Sequence, residues 1–122
     1  MIFITLTQLC DLKGDNRKNN AGGSVAGYSL KPFLENPNSK SWNGPDGTLT
    51  TIATDVVNYD LKAQTFSYRT KKYRYIIYPN GQEELYDLID DPNEWYNLAT
   101  NAKYQKKRKM LHDKVLQLIN GN

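Results

Sequence analysis

The sequence predicts an α+β fold: a small antiparallel sheet of about four strands with a C-terminal helix packed on one face, behind a loop-rich N-terminal third. Three observations predict it. Between residues 65 and 88 apolar and polar side chains alternate in short runs, the period of half-buried strands. Asn80-Gly81 lies between the last two runs, the strongest short-range hairpin signal. Leu111, Val115, Leu118 and Ile119 recur at helical spacing, with the basic run Lys106 to Lys109 on or around the opposite side and Gly121 at the end.

Taken in order, residues 2–13 read as a short helix or extended segment, with Leu6, Leu9 and Leu12 spaced like a buried face. Cys10, among apolar neighbours, is expected to be a small buried side chain. A polar loop follows from Gly14 through Gly22 and Gly23. Ser29 to Leu34 can form one helical turn with Leu30, Phe33 and Leu34 inward, and Asn36-Pro37 ends it. Residues 36–47 are irregular. Thr48 to Val57, rich in Thr, Ile and Val, is the first strand; Thr65 to Thr70, Tyr73 to Tyr78 and Glu83 to Leu88 form an antiparallel meander after it. Lys71-Lys72 makes the first of its turns. Asp90-Asp91-Pro92 ends the sheet, since proline donates nothing to a ladder. The domain expected is residues 1–122 as one unit, in which 48–122 is the sheet plus helix and 1–47 a loop-rich segment that would join and lie against another domain.

Composition excludes several classes. At 122 residues the chain has room for one modest domain, and no apolar run reaches the length of a membrane span. A net charge of +3 with no recognised binding motif argues against a nucleic-acid partner. One cysteine rules out an internal disulfide or a multi-cysteine zinc site. The N-terminus has neither a basic n-region nor a small-residue cleavage site, and the chain is expected to begin inside an element.

The stretch Glu84-Leu85-Tyr86-Asp87-Leu88-Ile89-Asp90-Asp91-Pro92-Asn93-Glu94-Trp95-Tyr96-Asn97-Leu98-Ala99 resembles the C-terminal signature of sulfatases: E-L-Y-D, two or three residues, D-P, then E and N-L-A. Upstream, Arg69-Thr70, Tyr73-Arg74-Tyr75 and Asn80-Gly81 look like that family's R-T, Y-R-Y and N-G strands, most like the iduronate-2-sulfatase branch. Leu6-Thr7-Gln8-Leu9-Cys10-Asp11-Leu12 is similar to its P-T-L-C-D-L-A-G helix, and Tyr28 to Leu34 to its S-L-x-P-L-L element. Each motif is weak alone; their shared order makes the likeness specific. Read from the residues, Leu85 faces the core, Tyr86 supplies apolar area and a hydroxyl, Asp90 to Pro92 turns the chain, and Asn97 bonds backbone before the helix.

The resemblance implies hydrolysis of a sulfate ester with formylglycine and calcium, in a family commonly periplasmic, secreted or lysosomal. The C-x-P-S-R or S-x-P-S-R motif that yields formylglycine does not occur here, nor do the calcium ligands. The expectation is therefore a C-terminal sulfatase portion that has no catalytic residue, metal or cofactor site of its own, is inactive alone, and supports the substrate pocket of a sulfatase catalytic domain as its partner. The clustered carboxylates Glu84, Asp87, Asp90, Asp91 and Glu94 read as turn and capping residues in preference to a metal site. His112, on the C-terminal helix, has no neighbouring nucleophile in sequence. Arg69 and Arg74 are the candidate substrate-binding residues. The alternative is a non-enzymatic module in which Tyr68, Arg69, Lys71, Lys72, Tyr73, Arg74 and Tyr75 hold an anionic or sulfated glycan, with no membrane or nucleic-acid partner. The bland reading of that run is an amphipathic hairpin with tyrosines on the core and lysines in water.

Overall fold

A computed structural model describes residues 2–12, 27–53 and 60–121. The chain divides into two compact units, residues 1–45 and 46–122.

In the first unit, helix α1 (Ile2–Leu9) and the single turn α2 (Lys31–Glu35) are tied where the Leu30 amide donates to Thr5 Oγ1 at 2.9 Å. The Trp42 indole N–H donates to the Ser29 carbonyl at 3.1 Å, and its ring packs on Phe33 and edge-on to Tyr28. These contacts make an aromatic cluster that leaves the leucines out. Leu6, Leu9 and Leu12 are 53%, 49% and 52% exposed, Leu34 is exposed, and so is Cys10, contrary to the buried positions expected of them. The physical reason is that Thr5, not the leucine stripe, points at α2; among the described residues of this unit nothing apolar covers the stripe. The polar loop expected after Gly14 lies outside the described residues.

The second unit is a four-stranded antiparallel sheet in the order β1-β2-β3-β4, formed by Gly47–Ala53, Gln64–Thr70, Tyr73–Ile77 and Glu83–Asp87. The described part of β1 ends at Ala53, and the residues to Val57 expected to continue it are outside the described set. Alternation sends Leu49, Tyr68, Tyr75 and Leu85, which face one another across the register, to a single side. There α3 (Gln105–Ile119) covers them with Leu111 and Val115, and Tyr68, Tyr75, Leu85 and Val115 are all but removed from water. At ~1.5–3 kcal/mol for each large apolar side chain buried, this seam is the principal source of the unit's stability. In the last helical turn Ile119 still packs on the core, whereas Leu118, expected inward, is 42% exposed at the helix end.

Local chemistry sets the joints. Gly81, at φ +81°, adopts the left-handed conformation the β3–β4 loop needs, and its amide donates to the Tyr78 carbonyl. Gly47 lets β1 lie against Tyr68: a Cβ there would stand 2.6 Å from the Tyr68 ring. Asp87, 2% exposed, accepts the Ile89 amide and pairs with Lys72 of the facing turn at 3.3 Å, so the two turns brace each other. Asn97 serves as a strand substitute along β4. Its Oδ1 accepts the amides of Leu85 and Ala99, at 3.1 and 2.9 Å, while the Leu98 amide donates to the Leu85 carbonyl. The outer edge of β4 is thereby satisfied before the chain enters the helix.

One polar cluster joins helix to sheet. Glu83, at the start of β4, pairs with Arg108 and lies 3.1 Å from His112 Nδ1, which is also 2.9 Å from the buried Tyr75 hydroxyl. A carboxylate can only accept, so the tautomer that suits this contact has the proton on Nδ1, and the Tyr75 hydroxyl keeps its proton and donates a hydrogen bond to Glu83. Burial first, and then Glu83, push the Tyr75 hydroxyl well above the ordinary tyrosine range.

Candidate functional site

The face of the sheet turned away from α3 carries the residues singled out for binding. The same alternation that puts Tyr68 and Tyr75 in the core puts Arg69 and Arg74 on this side, and the register sets them directly opposite each other. The row is completed by Thr48 on β1 and Tyr86 on β4. The next row is Thr50, Ser67, Ile76 and Glu84. Two guanidinium groups in direct cross-strand opposition disfavour each other unless something negative lies near.

For Arg74 that something is Glu94, whose carboxylate accepts Arg74 Nη1 at 2.9 Å. Glu94 has φ +59°, and it follows a turn in which its amide donates to the Asp91 carbonyl and Asp91 Oδ2 accepts the Tyr96 amide. The left-handed backbone of a non-glycine residue belongs to the turn that carries this carboxylate to the sheet. Arg74 Nε is buried without a hydrogen-bond partner among the described residues. Arg69 is exposed, and its side chain has no ion-pair or hydrogen-bond partner among the described residues. Beyond Arg74 lies a shallow depression of about 410 Å³, lined by Thr50, Ser67, Ile76 and Tyr78 among others. Glu84 closes that side, its two oxygens accepting from Tyr78 and Tyr86 at 3.1 and 3.0 Å. Burial and the adjacent Glu84 push the Tyr86 hydroxyl up to about 12.

This arrangement can hold an anion between Arg69, whose guanidinium has no partner among the described residues, and the half-satisfied guanidinium of Arg74, beside hydroxyls. Among the described residues no group of three or more His, Cys, Asp or Glu could hold a metal ion. Glu84, Asp87, Asp91 and Glu94 are each engaged by tyrosine hydroxyls, backbone amides or a cation. His112 is on the far side of the sheet, held by Tyr75 and Glu83.

The basic aromatic run proposed as one binding surface is divided. Tyr68 and Tyr75 are core residues, Tyr73 shares their face, and only Arg69 and Arg74 are on the outer face, because neighbours in a strand point to opposite sides. The part that sequence reasoning missed is Glu94 as the partner of Arg74. Its signal was available in the E of the signature, but the pairing spans twenty residues and a reversed turn.

Residues 15–121 match the family described as N-sulphoglucosamine sulphohydrolase, C-terminal. Over 105 residues the chain is 30% identical to arylsulfatase K of Bos taurus, a match covering 80% of this chain and 18% of that protein. Among solved structures, a putative sulfatase from Bacteroides thetaiotaomicron superposes with a TM-score of 0.65 at 26% identity, over 95% of this chain and 24% of the other. A phosphonate monoester hydrolase of Agrobacterium radiobacter does so with a TM-score of 0.63 at 27% identity, over 98% and 24%. The chain thus spans 18% of the curated relative and 24% of each structure. The sheet, the helix, the family match over residues 15–121 and these relatives agree: this chain belongs to the C-terminal sulfatase family.

Proposed function

We propose that this chain works as the C-terminal portion of an iduronate-2-sulfatase-like sulfatase, in which the outer face of the sheet adjoins the catalytic domain and walls the pocket for a sulfated substrate. The observation that supports the reading is the exposed guanidinium of Arg69, without an ion-pair or hydrogen-bond partner among the described residues, set opposite Arg74 on the face that α3 leaves free. Arginine presents a planar fork to an oxyanion such as a sulfate ester, and the cross-strand neighbour adds a second positive charge while Glu94 holds that neighbour in place. Formylglycine and calcium would belong to the catalytic portion, and this chain would contribute binding and orientation only. Family members act on different esters, as the phosphonate monoester hydrolase among the structural relatives illustrates, so the choice of ester falls to that portion as well.

The test is made in the full-length sulfatase that carries this segment. Arg69→Ala should raise KM for a sulfated substrate by roughly tenfold or more, the loss of one charge-assisted hydrogen bond, with little change in melting temperature. Unchanged KM and kcat would remove Arg69 from the pocket and with it the proposed role of this face.

A further inference from the structure

On the opposite, helix-bearing side of the sheet, the β2–β3 turn and α3 enclose a groove of about 700 Å³. Its rim carries the ammonium groups of Lys71, Lys72, Lys107 and Lys114 and the carboxylates of Asp46 and Asp113. These charges do not cancel. Asp46 is occupied by the Tyr68 hydroxyl at 2.8 Å, and Lys72 by Asp87 at 3.3 Å. Lys71, Lys107 and Lys114 have no ion-pair partner among the described residues, and they outnumber the two rim carboxylates, Asp46 and Asp113, that offset them. Lys107 and Lys72 instead approach the Tyr73 ring, at 5.2 and 5.5 Å from its centroid. A cluster of like charges around a concave surface favours an anion, since each ammonium there lowers the energy of a negative group that enters.

The spacing of the cluster restricts what the anion can be. Lys107 and Lys114 are two helical turns apart on one face of α3, about 10 Å along its axis at the usual rise. One small oxyanion cannot bridge them; an extended chain bearing regular negative groups can. Between them the floor is apolar, formed by buried Leu111 and by Met110, which is 52% exposed. A nucleic acid would call for an open aromatic face on which to stack a base, and the Tyr73 ring is already approached by two ammoniums. Sugar rings, with hydrocarbon faces and peripheral charges, match a methionine floor between lysines.

We propose that this groove binds a segment of an anionic polysaccharide, with Lys71, Lys107 and Lys114 holding successive sulfate or carboxylate groups and Met110 lying under the rings between them. The groove and the arginine row occupy opposite faces of the sheet, so this site stands or falls independently of the pocket-wall role.

The experiment is calorimetric titration of the whole 122-residue chain with a heparin-derived octasaccharide. Each lysine contributes one exposed ion pair, so the triple variant Lys71→Gln, Lys107→Gln, Lys114→Gln should weaken binding by about tenfold. A charge-matched variant away from the groove, Lys103→Gln, Lys106→Gln, Lys109→Gln, should weaken it less than about twofold. Lys72 is left intact because it neutralises the buried Asp87. Equal losses in the two variants would mean diffuse attraction and overturn the site, as would a single-stranded oligonucleotide of the same charge binding as tightly, or inorganic sulfate displacing the octasaccharide at comparable concentration. Should the triple variant fail to fold, NMR on the unaltered chain decides: octasaccharide must shift the Met110 methyl and the Lys107 and Lys114 amides, and unmoved signals end the proposal.

Discussion

Glu83→Ala tests whether the polar cluster, as well as the apolar seam, holds the helix to the sheet. The Glu83 side chain is 14% exposed and receives Arg108 and His112, whose own side chains are 37% and 31% exposed. Truncation strands three donors: a guanidinium, an imidazole N–H and the Tyr75 hydroxyl, which is fully buried. Breaking a wholly buried ion pair costs ~3–5 kcal/mol, and the water that reaches Arg108 and His112 recovers part of that, leaving about 2–3 kcal/mol. In a urea titration followed by far-UV circular dichroism, a slope of ~1–2 kcal/mol/M turns this loss into a midpoint lower by about 1–3 M. Tyr75→Phe should cost about 1 kcal/mol, the net worth of one hydrogen bond. The double variant should lose less than the sum, because both changes strike one cluster. A Glu83→Ala loss below about 0.5 kcal/mol, the scale of ordinary surface changes, would refute the reasoning.

Gly47→Ala should destabilise the sheet by about 1–3 kcal/mol, because the new Cβ meets the Tyr68 ring, its hydroxyl and the Arg69 carbonyl, all within 2.8 Å; a thermal melt within a degree of the parent would contradict this. Tyr68 and Tyr86 are each pushed up to about 12 from a reference of 10.0, in both cases by burial and then by the neighbouring carboxylate, Asp46 or Glu84. A raised folded pKa means the native state holds its phenolic protons more tightly, so this stability is fully present below pH 10 and is lost as pH climbs from about 10 through 12. Denaturant midpoints measured across that window should fall steadily, and a flat profile would show that these hydroxyls are not buried as described.

The second unit was legible because its signals are local. The β-branched run beginning at Thr48, the alternation around Phe66 and Tyr68, Asn80-Gly81 and the Leu111–Val115 spacing each report on a few neighbouring residues, and the strands and helix follow them. What was not legible depends on distant partners. Glu83 meets Arg108 across twenty-five residues, and nothing adjacent to either announces the other. The division of the basic aromatic run was implicit in strand alternation, yet composition alone groups Arg69 with Tyr68 and Arg74 with Tyr75. In the first unit periodicity misled: Leu6 and Leu9 do lie on a helix, which ends before Leu12, but a stripe is buried only where something apolar meets it, and Thr5 makes the contact instead. The asparagine before the helix was read as a backbone-bonding residue, and Asn97 takes that role in full, with its carbonyl oxygen serving Leu85 and Ala99 together.

That asparagine also governs how copies of the chain can meet. A strand sheet open on both sides is a template at each end, and head-to-tail addition can continue without limit. Here the backbone of β4 is already engaged by residues 97–98, so no second molecule can add its strand there. Among the described residues β1 is the other edge strand of the sheet, and joining β1 to β1 would give a closed pair with both templates used up. The segment at Asn97 and Leu98 therefore closes one edge of the sheet to strand addition, and with it open-ended growth from that side.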